Sequence, residues 1–195
     1  MKLRIGFFTV FLATSLLIDH TLFSFAAFLA AFIHEAGHIL AARLCHIRLR
    51  ECKVGIYGAG LMPESGLFSY QKEILLCLSG PLFNLLSAFL CLSVKAVDSH
   101  FFQYFIFSSL SMGLLNLLPI RDFDGGRVLY SLLCLKFRPD LARGILHTFS
   151  FFCLFFLWCL SVYLLLRASS SLSLFIFSLS LFFKIFISDN LQVPS

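Results

Sequence analysis

The sequence contains very little charge. Asp, Glu, Lys and Arg together make up 13% of its 195 residues, whereas apolar and aromatic residues make up 59%. Soluble globular domains carry about 25% charged residues, so the composition excludes an ordinary soluble enzyme. The 26 phenylalanines and the long apolar runs predict a polytopic membrane protein instead.

Two further absences narrow the class of protein. The seven cysteines form no CxxC pair and most lie within or beside apolar runs, so we expect small hydrophobic side chains and no disulfide framework. The net charge of +5 is not gathered into one basic stripe, since the Lys and Arg residues fall in the gaps between apolar runs. A nucleic-acid partner is therefore not expected.

The apolar runs predict about six transmembrane helices in a single membrane domain over residues 1–195. A bilayer core requires roughly 20 apolar helical residues. The first run is short and resembles the apolar part of a signal peptide, but the next run follows almost at once, so we interpret it as a retained helix. The predicted spans cover 5–18, 21–42, 74–94, 101–120, 144–166 and 168–188.

The distribution of basic residues predicts the orientation of these spans. The segments 43–73 and 121–143 and the N-terminus hold most of the Lys and Arg, whereas the opposite gaps hold only Lys95 and Arg167. The positive-inside rule therefore places both termini and both segments in the cytoplasm. The segment 54–70, rich in Gly and interrupted by Pro, predicts turns, a short strand pair or a re-entrant loop.

The second span contains HEAGH, residues 34–38. Ionisable groups at membrane depth are costly and usually functional. Two histidines four residues apart lie on one helix face, so the imidazoles of His34 and His38 can bind one metal ion. Glu35 projects beside them, where its carboxylate can accept a proton from a metal-bound water. The motif therefore predicts a catalytic zinc site.

Such a site needs a third ligand. Asp124 is the strongest candidate because Pro119 breaks the fourth span, and Gly125 and Gly126 release the backbone directly after the acid. Asp122 competes by position. The other acidic and histidine candidates are Asp19, Asp98, Asp140, Asp189, Glu51, Glu64, Glu73, His20, His46, His100 and His147.

The third span is interrupted by SGPLFN, residues 79–84. Gly80 and Pro81 allow a kink and a close approach of helices, and Asn84 places an amide in the hydrocarbon. This amide either joins two helices by hydrogen bonds or serves the site.

In this order, HEAGH, SGPLFN and NLLPIRDFDGG resemble the motifs of the site-2 protease family of intramembrane zinc metalloproteases. The resemblance covers residues 21 to about 130 and is greatest to the compact bacterial branch that contains the protease activating a sporulation sigma factor. It implies one Zn²⁺ held by His34, His38 and Asp124, with Glu35 as the base.

The resemblance also implies supporting roles for other residues. Asn84 matches an asparagine thought to help hold substrate, and Asn116 and Pro119 match positions before the ligand aspartate. It implies a zinc metalloprotease core over 21–130, to which the apolar runs add two helices over 140–188. As departures from relatives, we expect no PDZ domain and no nucleotide-sensing CBS domain of the kind that the sporulation enzyme carries. Arg121 and Asp122 depart from the apolar or proline residues often found there.

We therefore expect an all-α intramembrane metalloendopeptidase with a three-helix catalytic core and a site open to the cytoplasm. Its substrate would be a membrane-embedded or membrane-tethered protein, such as a sigma-factor precursor, in the bacterial inner membrane. The lipid bilayer, a regulatory membrane partner or a second copy of the chain are the other expected partners. A divalent-cation transporter and a catalytically silent scaffold are the alternatives, although a transporter should show ligands along several spans.

Overall fold

The computed structural model describes residues 2–4, 21–46, 49–55, 58–63, 69–93, 99–168, 172–183 and 185. In chain order the elements are β1 (Lys2–Arg4), α1 (Leu22–Leu44), β2 (Leu49–Gly55), β3 (Gly58–Pro63), α2 (Tyr70–Ser93), α3 (His100–Asn116), α4 (Asp124–Cys134), α5 (Pro139–Ala168) and α6 (Leu172–Phe182).

Three of the described helices are long and apolar enough to cross a bilayer. They are α1, α2 and the segment Pro139–Arg167 of α5. The predicted helical membrane fold is confirmed, whereas the number of six spans stays a prediction because the first span, 5–18, lies outside the described residues. The predicted fourth span ends earlier than expected, at Asn116, and α3 is about 25 Å long.

The outward faces of the long helices are covered with large apolar side chains. Phe32 is 64% exposed on α1, Phe89 is 65% exposed on α2 and Phe156 is 70% exposed on α5. So many exposed aromatic groups would be unfavourable in water, but they suit contact with lipid tails. Composition and surface therefore agree on an integral membrane protein.

Helices α1, α2 and α3 contact one another and form a three-helix core. Small residues permit these contacts: Ala26 and Ala30 are fully buried against Phe105 of α3. A Cβ on Gly37 would lie 2.8 Å from the carbonyl oxygen of Ser79, so α1 and α2 cross at very short range. Membrane helices commonly pack through small residues in this way.

A small sheet joins α1 to α2 in sequence. Strands β2 and β3 pair antiparallel, with Val54 opposite Ala59, and β1 pairs parallel to β2. Of the three alternatives open for 54–70, the structure shows the strand pair, which begins earlier, at Leu49, and ends at Pro63. Strand β3 lies at the edge of the sheet order β1-β2-β3.

Helix α4 was not predicted. The sequence indicated a cytoplasmic connection over 121–143, but residues 124–134 form an amphipathic helix that packs against α2 and α5. Helix α5 then begins at Pro139, a residue that favours the first helical turn because it has no N–H to leave unpaired. Helix α5 packs against α6.

Two apolar residues of the segment between α3 and α4 are buried against the two C-terminal helices. Ile120 is fully buried, Phe123 is 6% exposed, and both pack with Leu154 of α5 and Leu181 of α6. This loop leads directly into Asp124. The C-terminal helices thus fix the path of the chain at the point where the predicted third ligand begins.

Candidate metal centre

The two histidines of α1 face the interior of the helix bundle. His34 is 4% exposed and His38 is 5% exposed, and their Nε2 atoms lie 3.2 Å apart. The helical repeat places residues four apart on one face, so this proximity follows from the spacing in HEAGH. Their rings meet edge to face, with centroids 4.8 Å apart.

Asp124, the first residue of α4, reaches the same point from the other side. Its Oδ2 lies 3.1 Å from Nε2 of His34 and 3.2 Å from Nε2 of His38. Asp124 is 9% exposed, and the N-terminus of α4 adds a favourable positive potential. Three potential ligand atoms, two from α1 and one from α4, therefore meet in one buried triangle.

Helix α2 packs against both imidazoles through residues that are four apart. Nδ1 of His38 lies 2.8 Å from the carbonyl oxygen of Leu76, and Nδ1 of His34 lies 3.3 Å from Nδ2 of Asn84. Gly80 lies between them, and a Cβ there would be 2.9 Å from Cε1 of His34 and closer still to the ring of His38. Only glycine leaves room for both rings.

The turn of α2 around these contacts contains Pro81. Proline has no N–H, so the carbonyl of Cys77 lacks its usual helical donor and the helix is prone to bend in this turn. Ser79 Oγ donates to the carbonyl of Leu76 at 2.6 Å and lies 3.4 Å from Nδ1 of His38. Ser79 and the carbonyl of Leu76 therefore place two polar groups against His38.

The loop before Asp124 is held by one side chain of α5. Ser150 is fully buried, donates its hydroxyl to the carbonyl of Pro119 at 3.3 Å and accepts from the N–H of Arg121 at 3.0 Å. A Cβ on Gly125 would collide with the carbonyl of Leu117, so the first turn of α4 lies directly against the loop backbone. Both features constrain where Asp124 begins.

The donor set suits a metal ion of the zinc class. Two neutral imidazoles and one carboxylate form a usual three-ligand set, and they leave one position open. Tetrahedral zinc with bonds of about 2.0–2.1 Å separates its ligand atoms by about 3.3 Å. The observed separations of 3.1 to 3.2 Å match this within about 0.2 Å. His34, His38 and Asp124 can therefore hold a metal ion together.

Three comparisons show which known proteins the chain is similar to. A family model described as Peptidase family M50 matches residues 93–157, which include the Asp124 loop. Stage IV sporulation protein FB of Bacillus subtilis (strain 168) is 29% identical over 182 residues, which is 90% of this chain. The chain spans 63% of that relative's length.

A solved structure shares the fold. The site-2 protease from Methanocaldococcus jannaschii superposes with a TM-score of 0.61 over 96% of this chain and 88% of that protein, at 19% identity. The resemblance to site-2 proteases is confirmed. In this chain, His34, His38 and Asp124 each offer one potential ligand atom to a shared metal ion.

The structure also describes Glu35, Asn116 and Asp122, which the sequence analysis named beside the three candidate ligands. Glu35 is half-buried on α1, directly after His34. Asn116 donates its amide to the carbonyl of Met112 in its own helix, at 3.0 Å. Asp122 lies in the loop, and the ligand cluster found among the described side chains does not include it.

The remaining ligand candidates divide into two groups. Glu73, Asp140, His46, His100 and His147 are described but do not belong to the cluster. Asp19, His20, Glu64, Asp98 and Asp189 lie outside the described residues, as does the side chain of Glu51.

Two contacts at the site were not predicted. One is the bond from Ser150 to the loop, and the other is the ion pair between Arg127 of α4 and Glu73 of α2, at 3.2 Å. Arg127 follows Asp124 by three residues, so the pair ties the ligand helix to α2. The sequence does not indicate which group a serine in an apolar span will bond. The ion pair between residues 73 and 127 could have been predicted, because their charges are opposite and both segments were assigned to the cytoplasmic side.

Proposed function

We propose that this protein is an intramembrane zinc metalloendopeptidase that hydrolyses a peptide bond within or beside a membrane segment of another protein. The observation that carries the proposal is the buried triangle formed by His34, His38 and Asp124, with a carboxylate next to it in sequence. The similarity to Peptidase family M50 supports the same chemistry.

The residues divide the work of peptide hydrolysis between them. His34, His38 and Asp124 would hold Zn²⁺, which when bound supplies a Lewis acid for water and for the scissile carbonyl. Glu35 accepts a proton from the attacking water and delivers it to the leaving amine, the usual role of a positioned carboxylate in this chemistry. A set of three protein ligands would leave the metal accessible to water.

The substrate is proposed to bind in an extended form. An α-helical segment hides its peptide bonds in its own hydrogen bonds, so it must unwind before cleavage. Strand β3 lies at the edge of the sheet among the described residues and can accept a further strand by backbone pairing. Deletion of residues 55–60 should then slow cleavage in a correctly inserted protein, and unchanged rates would refute this role.

The site is proposed to open to the cytoplasm. The segments that flank it, 43–73 and 121–143, carry most of the basic residues. Products would leave on that side, and a membrane-tethered regulatory protein is the expected substrate. A cation transporter is less well supported, because the described side chains contain one three-ligand group and not a series along a path.

Metal content and cleavage of three detergent-purified variants test the proposal. Wild-type protein should bind about one zinc per chain, and Asp124→Ala should lose or greatly weaken that binding. Glu35→Gln should keep the metal but lose cleavage, because the amide cannot take a proton from water. His34→Ala should lose both metal and cleavage.

Two results would overturn the proposal. A folded wild-type protein that binds no zinc would leave the buried triangle without a metal function. Full proteolysis by Glu35→Gln would remove the assigned base.

A further inference from the structure

Both imidazoles of the candidate site direct Nε2 toward the shared centre. A neutral histidine that binds metal through Nε2 must carry its proton on Nδ1, and that N–H then needs an acceptor. For His38 the acceptor is the carbonyl oxygen of Leu76, at 2.8 Å. For His34 the atom facing Nδ1 is Nδ2 of Asn84, at 3.3 Å, which is itself a donor.

The second part of this contact is the buried side-chain amide of Asn84. Its side chain is 0% exposed, and its Oδ1 is buried with no hydrogen-bond partner. The amide oxygen and nitrogen have nearly the same shape, so a 180° rotation of the amide preserves its packing. After rotation Oδ1 lies where Nδ2 now lies and can accept the Nδ1–H of His34.

We propose that Asn84 is a positioning residue that accepts the Nδ1–H of His34 through its side-chain oxygen, fixing the ring for metal binding. This inference rests on the proposed zinc site and assigns Asn84 to a ligand, whereas the family resemblance suggested a role in holding substrate. The complete burial of Asn84 supports the change, since no part of its amide is open to a substrate in this structure.

Helix α2 is then the support for both histidines. Leu76, Gly80 and Asn84 are spaced by four residues and therefore share one face of α2. The carbonyl of Leu76 accepts from His38, the amide of Asn84 in its rotated orientation accepts from His34, and Gly80 between them lets the rings approach. Hydrogen bonds of this kind orient metal-binding histidines and raise their basicity, and their loss typically weakens metal binding by about 10–100-fold.

Two substitutions at Asn84 distinguish the effect of the amide oxygen, an acceptor, from that of the amide nitrogen, a donor. Asn84→Leu keeps the approximate size but removes the acceptor, so the zinc affinity should fall by about 10–100-fold. Asn84→Asp keeps an acceptor and removes the donor, so it should bind zinc about as tightly as the wild type. The measurement is a zinc competition titration with a chromogenic chelator on detergent-purified protein.

The control is Ser161→Ala, which removes another fully buried polar group, on α5, where its hydroxyl donates to the carbonyl of Trp158. It should leave the zinc affinity unchanged. The unfolding temperature of each metal-free variant is measured as well, so that loss of metal is distinguished from loss of fold. If Asn84→Leu does not fold, Asn84→Ala carries the same prediction.

Each outcome decides the inference. Wild-type affinity in Asn84→Leu, with impaired cleavage, would overturn it and return Asn84 to the substrate. Equal loss of affinity in both Asn84 variants would show that the amide donor is required, which also overturns it. Failure of the wild type itself to bind zinc would instead refute the proposed function, so the two failures are distinct.

Discussion

The imidazoles and the carboxylate of the candidate site are positioned in different ways. His34 and His38 lie on one helix, and the spacing of four residues brings their Nε2 atoms to 3.2 Å. Asp124 is 90 residues from His34 along the chain and lies at the start of a short helix. The pair is a product of local geometry, whereas the third ligand depends on tertiary contacts.

Those tertiary contacts come from a different part of the molecule. The loop before Asp124 packs Ile120 against Leu154 of α5 and Leu181 of α6, and Ser150 of α5 bonds its backbone. The motif-bearing core therefore relies on helices that carry no motif. Substitutions near the histidines should act directly on metal binding, while those in α5 should act through the position of Asp124.

The largest effect is expected from Gly80→Ala, on the histidine side of this comparison. A Cβ at Gly80 would collide with the rings of both His34 and His38. Because the Cβ is fixed to the backbone of α2, the two rings would have to shift instead. We expect the zinc affinity to fall by more than about 100-fold and cleavage to be lost. Equilibrium zinc titration of the purified variant measures it.

The matched control is Gly144→Ala. Gly144 is exposed on α5, and a Cβ there would meet no atom within 4 Å. Its zinc affinity should equal that of the wild type, and alanine should favour the helix by up to about 1 kcal/mol. Normal zinc binding by Gly80→Ala would show that α2 does not confine the two rings.

A smaller effect is expected from Ser150→Ala, on the aspartate side. The change leaves the carbonyl of Pro119 and the N–H of Arg121 without their side-chain partner. An unsatisfied buried group costs about 1–3 kcal/mol, and these part-buried groups should cost an amount near the lower end, part of which should appear as displacement of Asp124. We expect about a tenfold loss of zinc affinity, which corresponds to about 1.4 kcal/mol at room temperature.

Ser161→Ala is again the comparison, since Ser161 is equally buried on the same helix but donates to Trp158 in its own helix and lies 3.5 Å from Ser178 Oγ of α6. Zinc affinity and the free energy of unfolding are measured for both serine variants. Equal behaviour of the two would show that the loop does not need Ser150 to present Asp124.

The same contrast explains how much of the site could be predicted. The histidine pair, and Asp124 as the strongest candidate over Asp122, followed from helical spacing and from the positions of Pro119 and the glycines. These are local signals, and the structure places His34, His38 and Asp124 together.

Contacts that depend on tertiary structure were not predicted. Ser150 and Ser161 look alike in the sequence, yet only Ser150 bonds to the ligand loop. Helix α4 was missed because the charged residues around it indicated a solvated connection, although the spacing of Val128, Leu129, Leu132 and Leu133 could have revealed an amphipathic helix.

The smallest effect is expected from the ion pair that joins the two sides, Arg127 of α4 and Glu73 of α2. Their side chains are 30% and 22% exposed, so water weakens the interaction, and coupling should be about 0.2–1 kcal/mol. A double-mutant cycle with Arg127→Met and Glu73→Gln, measured by zinc affinity, isolates it. If the two substitutions change the free energy of zinc binding additively, the ion pair does not couple α2, which orients the histidines, to α4, which carries Asp124. Coupling would show that the pair helps align the two sides.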